Sequence, residues 1–244
     1  MACAYPWLMR VDVHRVRGVR ISNAWILVDR QGRRFLVDTG HRLERGGLER
    51  GLRRSGVRGP GDLTALLLTH RHSDHAGNAA WVRERYECPV LAHPRDAEIL
   101  ERRAPAPSLA SAGARHLHRV LCRIEDAAPA RTTVDEPIEA AGRWGFTPWW
   151  VGGHTEGSVL LTHEASGTLF SGDAIIAGPP IQRALCRLSL AVPDYSLDVE
   201  RCRASTLDFL RSEPPVRALC SGHGPLVRRR LTARLARLRR RFGG

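Results

Sequence analysis

The chain has 244 residues, 43% of them hydrophobic and 26% charged, so it is long enough to bury a sizeable core and is expected to form one domain over residues 1–244. No apolar run approaches the roughly 20 residues of a membrane-spanning helix, which excludes an integral membrane protein of that type. The formal net charge is +13, carried by 38 arginines and no lysine. An arginine-only bias of this kind is what a GC-rich genome is expected to produce, yet the field still favours anionic substrates or surfaces.

In chain order, the N-terminal segment lacks the basic and long apolar parts of a secretion signal. Cys3, Cys88, Cys122, Cys186, Cys202 and Cys220 show no paired C-x-x-C spacing, so a reduced, cytoplasmic setting is expected, with Cys88 and Cys220 as ordinary buried thiols. Strands are expected over residues 24–28 and 35–37, turned by Gly32, and a D-T-G turn follows at Asp38, Thr39 and Gly40. The apolar run 65–68 reads as a buried strand, residues 76–86 as a helix and 90–93 as a further strand.

Residues 95–139 are rich in alanine, proline and arginine and read as an irregular or helical insertion, either a lid beside a site or a packed surface excursion. His116 and His118 fall there without an acidic partner and are not expected to bind metal. Trp144, Phe146, Trp149 and Trp150 are expected in the core between sheets, with the lining of a pocket as the alternative. Strands follow over 159–162 and 169–170 around Gly167, then a helix over 199–210. The stretch 226–242 reads as a basic helix whose Leu231, Leu235, Leu238 and Phe242 dock it by an apolar stripe.

The chemistry concentrates just past the 65–68 strand, where His70, His72, Asp74 and His75 fall within six positions in the pattern H-x-H-x-D-H. In extended chain, side chains two apart share a face, so His70 and His72 can point at one metal ion while the following turn brings Asp74 and His75 to a second. Nitrogen and oxygen ligands without cysteine favour a site with an open position over a closed structural one. Further ligand types stand at expected strand ends: His154 between glycines, Asp173 after an apolar run, and His223 in a Ser-Gly-His-Gly-Pro turn. A carboxylate has two oxygens, so Asp173 alone among the late ligands is able to bridge two ions.

These residues, in this order from Ser22 to Pro225, resemble the metallo-β-lactamase-fold hydrolases, the broad superfamily that includes glyoxalase II. The resemblance implies an αββα four-layer sandwich, with two mixed β-sheets packed face to face, helices outside and metals at one edge. It also implies that His70, His72 and His154 hold one metal, that Asp74, His75 and His223 hold another, and that Asp173 bridges them. True class B β-lactamases generally carry cysteine where Asp173 stands, and flavodiiron relatives carry glutamate at the position of His72, so neither branch is favoured. Quorum-signal lactonases place a tyrosine soon after the bridging aspartate; here Ala174, Ile175 and Ile176 stand there, and the nearest later tyrosine is Tyr195.

Two divalent ions, zinc by default with iron or manganese as alternatives, would acidify a shared water, so that a bridging hydroxide attacks a carbonyl. The expected function is therefore hydrolysis of a small thioester, ester or lactone, with Asp74 handling a proton. Asp38 is expected to orient a ligand histidine. Arg183, Arg187 and Tyr195 are the candidate substrate contacts, and the substrate is a small, possibly anionic molecule. Thr155 and Ser158 are expected to cap the turn after His154. Phosphodiester cleavage and a non-catalytic metal-binding scaffold are the alternatives. Neither a membrane nor a nucleic acid is an expected partner, because the basic tail has no aromatic residues interleaved for base stacking.

Overall fold

The computed structural model describes residues 11–109, 122, 123, 125–178 and 187–243. Strands β1 (Asp12–Arg15), β2 (Trp25–Val28), β3 (Arg34–Val37), β4 (Ala65–Leu67), β5 (Val90–Ala92) and β6 (Glu136–Pro137) form one sheet in sequence order. The pairs from β1 to β3 are antiparallel and those from β3 to β6 parallel. The second sheet runs β12-β9-β8-β7, from β7 (Phe146–Trp150), β8 (Val159–His163), β9 (Thr168–Gly172) and β12 (Ala218–Ser221), with only β9 and β12 parallel. Between the last two lies the short pair β10 (Ile175–Ile176) and β11 (Ser189–Leu190).

Residue alternation along these strands produces four layers. Trp25, Leu27, Phe35, Val37, Ala65 and Leu67 point from the first sheet onto Phe146, Leu161, Phe170 and Cys220 of the second. The intervening residues Ile26, Leu36 and Leu66 face the opposite way and pack on α1 (Arg45–Arg54) and α3 (Ala79–Tyr86) through Leu48, Leu52, Val82 and Tyr86. On the far side, Leu160, Leu169 and Leu219 pack on α5 (Val199–Arg211) and α6 (Leu231–Phe242) through Phe209, Leu210, Leu231, Leu235 and Leu238. This is the expected αββα arrangement. Because both faces of each sheet are covered, the strands read as continuous apolar runs.

Several elements depart from the sequence reading. The helix expected over 76–86 is broken into α2 (Ser73–Ala76) and α3, because Asn78 leaves the helical pattern and its side-chain amide donates to the carbonyls of Thr39, Gly40 and His41. The basic C-terminal helix begins at Leu231, not at 226: Val227 pairs with Leu219 as a β-bridge, and Arg230 takes a left-handed conformation with φ 53°. The segment 95–139 supplies more than an excursion, since α4 (Pro94–Leu100) packs into the core and Glu136–Pro137 extends the first sheet. Strands β1 and β7 and helix α1 had no expected counterpart.

The aromatic group divides. Phe146 is buried between the sheets, its ring 5.2 Å from Phe35, whereas Trp149 and Trp150 are 40% and 38% exposed on the edge strand β7. Trp150 stacks on His93 and lies under the guanidinium groups of Arg95 and Arg201. These two indoles thus correct the expectation of a core position: among the described residues no strand lies beyond β7, and its last two side chains, at the edge, meet solvent, Phe209 and arginines. Cys88, Cys122, Cys202 and Cys220 are free, buried thiols; burial pushes Cys88 up to about 12 and Cys220 well above its ordinary value, so neither is a ready nucleophile. His116, His118, Cys3, Cys186 and Arg183 lie outside the described residues. Among the described residues no helix is long and apolar enough to cross a membrane.

Candidate metal centre

Strand ends place the site. The first sheet delivers Asp38 just after β3 and His70, His72, Asp74 and His75 after β4; the second delivers His154 between β7 and β8, Asp173 after β9, and His223 after β12. These loops meet at one edge, and the seven ligand-type side chains fall into overlapping groups: His70, His72 and His154; Asp74, His75 and His223; and His70, His75 and Asp173. Within each group the candidate ligand atoms lie within 4.8 Å of one another. Asp173 sits between the first two groups, with Oδ2 3.7 Å from His154 Nε2 and 3.3 Å from His223 Nε2, and Oδ1 3.4 Å from His75 Nε2.

The donor atoms fit a cation. His70, His72, His75 and His154 each bury Nε2 without a hydrogen-bond partner, as Asp173 does with Oδ1. Buried polar atoms are nearly always paired, so five such atoms converging on one volume fit the donor set of a metal cation. The opposite ring nitrogens are held: His75 Nδ1 by Asp38 Oδ2 at 2.8 Å, His154 Nδ1 by Ser196 Oγ at 3.0 Å, and His70 Nδ1 by Thr69 Oγ1 at 3.1 Å. Such contacts fix ring orientation and leave Nε2 for the ion. The expected role of Asp38 thus has a geometric basis, and its carboxylate also accepts from the amide and hydroxyl of Thr69.

The two halves differ electrostatically. Burial holds His70 and His72 well below the usual imidazole range and His154 at about 4, so these rings are neutral at pH 7 with a free lone pair. Burial acts in the same sense on His75 and His223, but neighbouring carboxylates outweigh it. Asp74, Asp173 and Asp38 raise His75 well above its ordinary value, and Asp173 with Asp74 raises His223 to about 10. Conversely, burial works against charge on Asp74 and Asp173, yet His75 and His223 hold both below the usual carboxylate range. A divalent ion in this half would take the place of the protons on His75 and His223.

Backbone clearance is part of the site. A Cβ on Gly222 would lie 2.2 Å from Asp173 Oδ1 and 2.5 Å from His75 Cε1, so any side chain there must displace one of them. Gly222→Ala is therefore expected to weaken divalent-ion binding at least about tenfold while keeping the fold. Titration of the metal-free variant in competition with a chromogenic chelator, alongside circular dichroism, would measure both. Unchanged affinity would show that Asp173 and His75 need not hold these positions.

The remaining candidates are placed as follows. Tyr195 is half-buried against Leu109 and Cys122, and burial raises its phenol above the ordinary value, with nearby negative charge adding to the rise. Arg187 is exposed and lines a groove of about 810 Å³ with Arg230, Arg234, Arg237 and Arg241, apart from the histidine cluster. Ser158 Oγ accepts from the amide of Thr155 at 2.9 Å, the expected turn cap.

Sequence reasoning missed four supporting residues. Ser196 holds His154; Asn23 donates to the carbonyls of Ser221 and Gly224 around His223; Glu125 accepts from the amide and hydroxyl of Ser73. Asp96 is the fourth, buried at 1% exposure on α4, where burial pushes its carboxyl up to about 6 against the pull of Arg71 and the hydrogen bonds of Thr155 and Gly157. Its signal was legible, for it is an acidic residue beside the apolar Ala97, Ile99 and Leu100. The other three lie far in sequence from the atoms they hold.

Comparison with known proteins agrees with this geometry. The chain is 28% identical over 172 residues to "Probable metallo-hydrolase YybB" of Bacillus subtilis (strain 168), covering 67% of this chain and 66% of the relative. It is 30% identical over 114 residues to a "Hydroxyacylglutathione hydrolase" of Bdellovibrio bacteriovorus, covering 47% of this chain and 35% of the relative. The chain thus spans about two thirds and about one third of these relatives. Among solved structures, TTHA1623 in a di-iron-bound form superposes with a TM-score of 0.59 at 26% identity, covering 91% of this chain and 93% of that one. The family model of the metallo-beta-lactamase superfamily matches residues 17–223, a span that holds every side chain of the cluster, and the chain belongs to that superfamily.

Proposed function

We propose that this protein is a dinuclear metal-dependent hydrolase acting on a small thioester, ester or lactone. The observation that carries the reading is the complete set of seven converging ligand-type side chains, four of them histidines with a buried, unpartnered Nε2. His70, His72 and His154 would hold one divalent ion and Asp74, His75 and His223 the other, with Asp173 contributing to both. Similarity to a hydroxyacylglutathione hydrolase supports a thioester, and the di-iron form of a structural relative supports iron, beside zinc, as a candidate metal. Bound divalent ions would supply Lewis-acid polarisation of the substrate carbonyl and lower the pKa of water at the site.

The chain's own residues supply orientation, charge and proton handling. Asp38 and Ser196 hold His75 and His154 with Nε2 turned into the site. Asp74 and Asp173 are the only anionic members of the cluster, so two dications leave a net positive site suited to anionic intermediates. Asp74 is the more exposed of the two, 25% against 13%, and its carboxylate is the proton-handling group of this reading. The buried free thiols accord with a reducing, cytoplasmic setting.

The test compares hydrolysis of an acyl thioester and an aryl phosphodiester by metal-loaded protein, with a chelated sample as control. Chelator-sensitive thioester turnover, at least about a hundredfold above the phosphodiester in kcat/KM, is the expected result. The reverse preference would replace this reading with phosphodiester cleavage and direct attention to the arginine-lined groove along α6. Two bound ions without turnover of either substrate would favour a scaffold.

A further inference from the structure

We infer that Asp96 is a positioning residue dedicated to the three-histidine half of the site, because it ties together the two loops that carry His70, His72 and His154. Asp96 Oδ2 accepts from the amide of Arg71, between His70 and His72, and from the hydroxyl of Thr155, next to His154, each at 2.8 Å. Asp96 Oδ1 accepts from the amide of Gly157 in the same His154 loop, also at 2.8 Å. One buried carboxylate thus holds three donors from two loops that belong to different sheets.

A second contact reinforces the tie. The Arg71 side chain is 3% exposed, its Nε 3.2 Å from Glu156 Oε2 and 3.9 Å from Asp96 Oδ1, so an ion pair joins the same two loops. Packing leaves no slack, since a Cβ on Gly157 would lie 2.7 Å from Asp96 Cγ. A lost carboxylate oxygen would leave buried amides unpaired and free the loops to separate.

The bracing is asymmetric. None of the three donors to Asp96 adjoins Asp173 or His223, and His75 Nδ1 is held by a different carboxylate, Asp38, which also accepts from Thr69 beside His70. In Asp96→Asn an amide group must face either the Gly157 amide or the Arg71 amide, donor against donor. The variant is therefore expected to lose one metal position selectively.

This inference rests on the dinuclear reading above, and the experiment separates the two. Metal-free protein is titrated with zinc against a chromogenic chelator, with circular dichroism as the control for folding. Wild-type protein is expected to take up two equivalents; failure to do so overturns the dinuclear reading and this inference with it. With two equivalents bound by wild type, Asp96→Asn is expected to weaken one of them about 10- to 100-fold and leave the other unchanged. In a His223→Ala background, Asp96→Asn should weaken the ion that remains, whereas in a His154→Ala background it should add little. Equal weakening of both ions, or no change in either, overturns the assignment to Asp96 while leaving the dinuclear reading intact. Should Asp96→Asn fail to fold, Thr155→Val removes one donor without unpairing a charge, and the same selective loss, smaller in size, is required of it.

Discussion

Asp173→Ala is expected to lower chelator-sensitive hydrolysis at least about a thousandfold in kcat/KM, about 4 kcal/mol of transition-state stabilisation, with the far-UV spectrum unchanged. The size follows from position. Asp173 is the side chain whose carboxylate faces both halves of the cluster, within 3.7 Å of His154 Nε2 and 3.3 Å of His223 Nε2. Removing it takes one ligand from each half and half of the anionic charge that Asp74 and Asp173 contribute together. Metal content by mass spectrometry, measured with the rate, checks the cause. A variant that retains both ions and a rate within tenfold of wild type would show that Asp173 does not join the two halves.

The second large effect is on stability. Phe146→Ala should destabilise the fold by about 3–5 kcal/mol, because Phe146 fills the space between the sheets at 1% exposure against Phe35, Phe170 and the ring of His163. For a chain of this size that corresponds to a fall in Tm of roughly 10 °C. Trp149→Ala, on the same strand but 40% exposed, should cost about 1 kcal/mol or less. Thermal unfolding of both variants by circular dichroism tests the layering directly. Similar losses would mean that the two faces of β7 are equally buried, contrary to the packing described.

Parts of the fold were legible because local pattern and tertiary burial coincide. The runs at 65–67 and 168–172 are apolar on both faces since each strand lies between a sheet and a helix layer, and Gly32 and Gly167 mark the hairpins because both adopt positive φ. Strand β7 was hidden. Its sequence, Phe-Thr-Pro-Trp-Trp, places two indoles in adjacent positions, so it shows no simple alternation: Trp149 meets Phe209 on one face, and Trp150 lies under arginines that no local signal announces. The break at Gly77 and Asn78 was equally hidden, because the carbonyls that hold Asn78 belong to residues 39–41.

By itself the sequence determined the ligand types and their order, since H-x-H-x-D-H, His154, Asp173 and His223 stand at strand ends where backbone geometry limits which side chains point the same way. The four-layer class was implied by the family resemblance that those residues carry, since the apolar runs alone indicate no more than mixed α and β. Only the tertiary structure supplied the distances within and between the two halves that the resemblance implies, because they are set across sheets by loops up to 153 residues apart, from His70 to His223. It likewise decided which carboxylate braces which half. Asp38 reaches His75 and Asp96 reaches the loops of His70, His72 and His154 through contacts that exist only once the sheets are packed, and the buried charge of Asp96 is tolerated because three donors from those loops and the Arg71 guanidinium surround it.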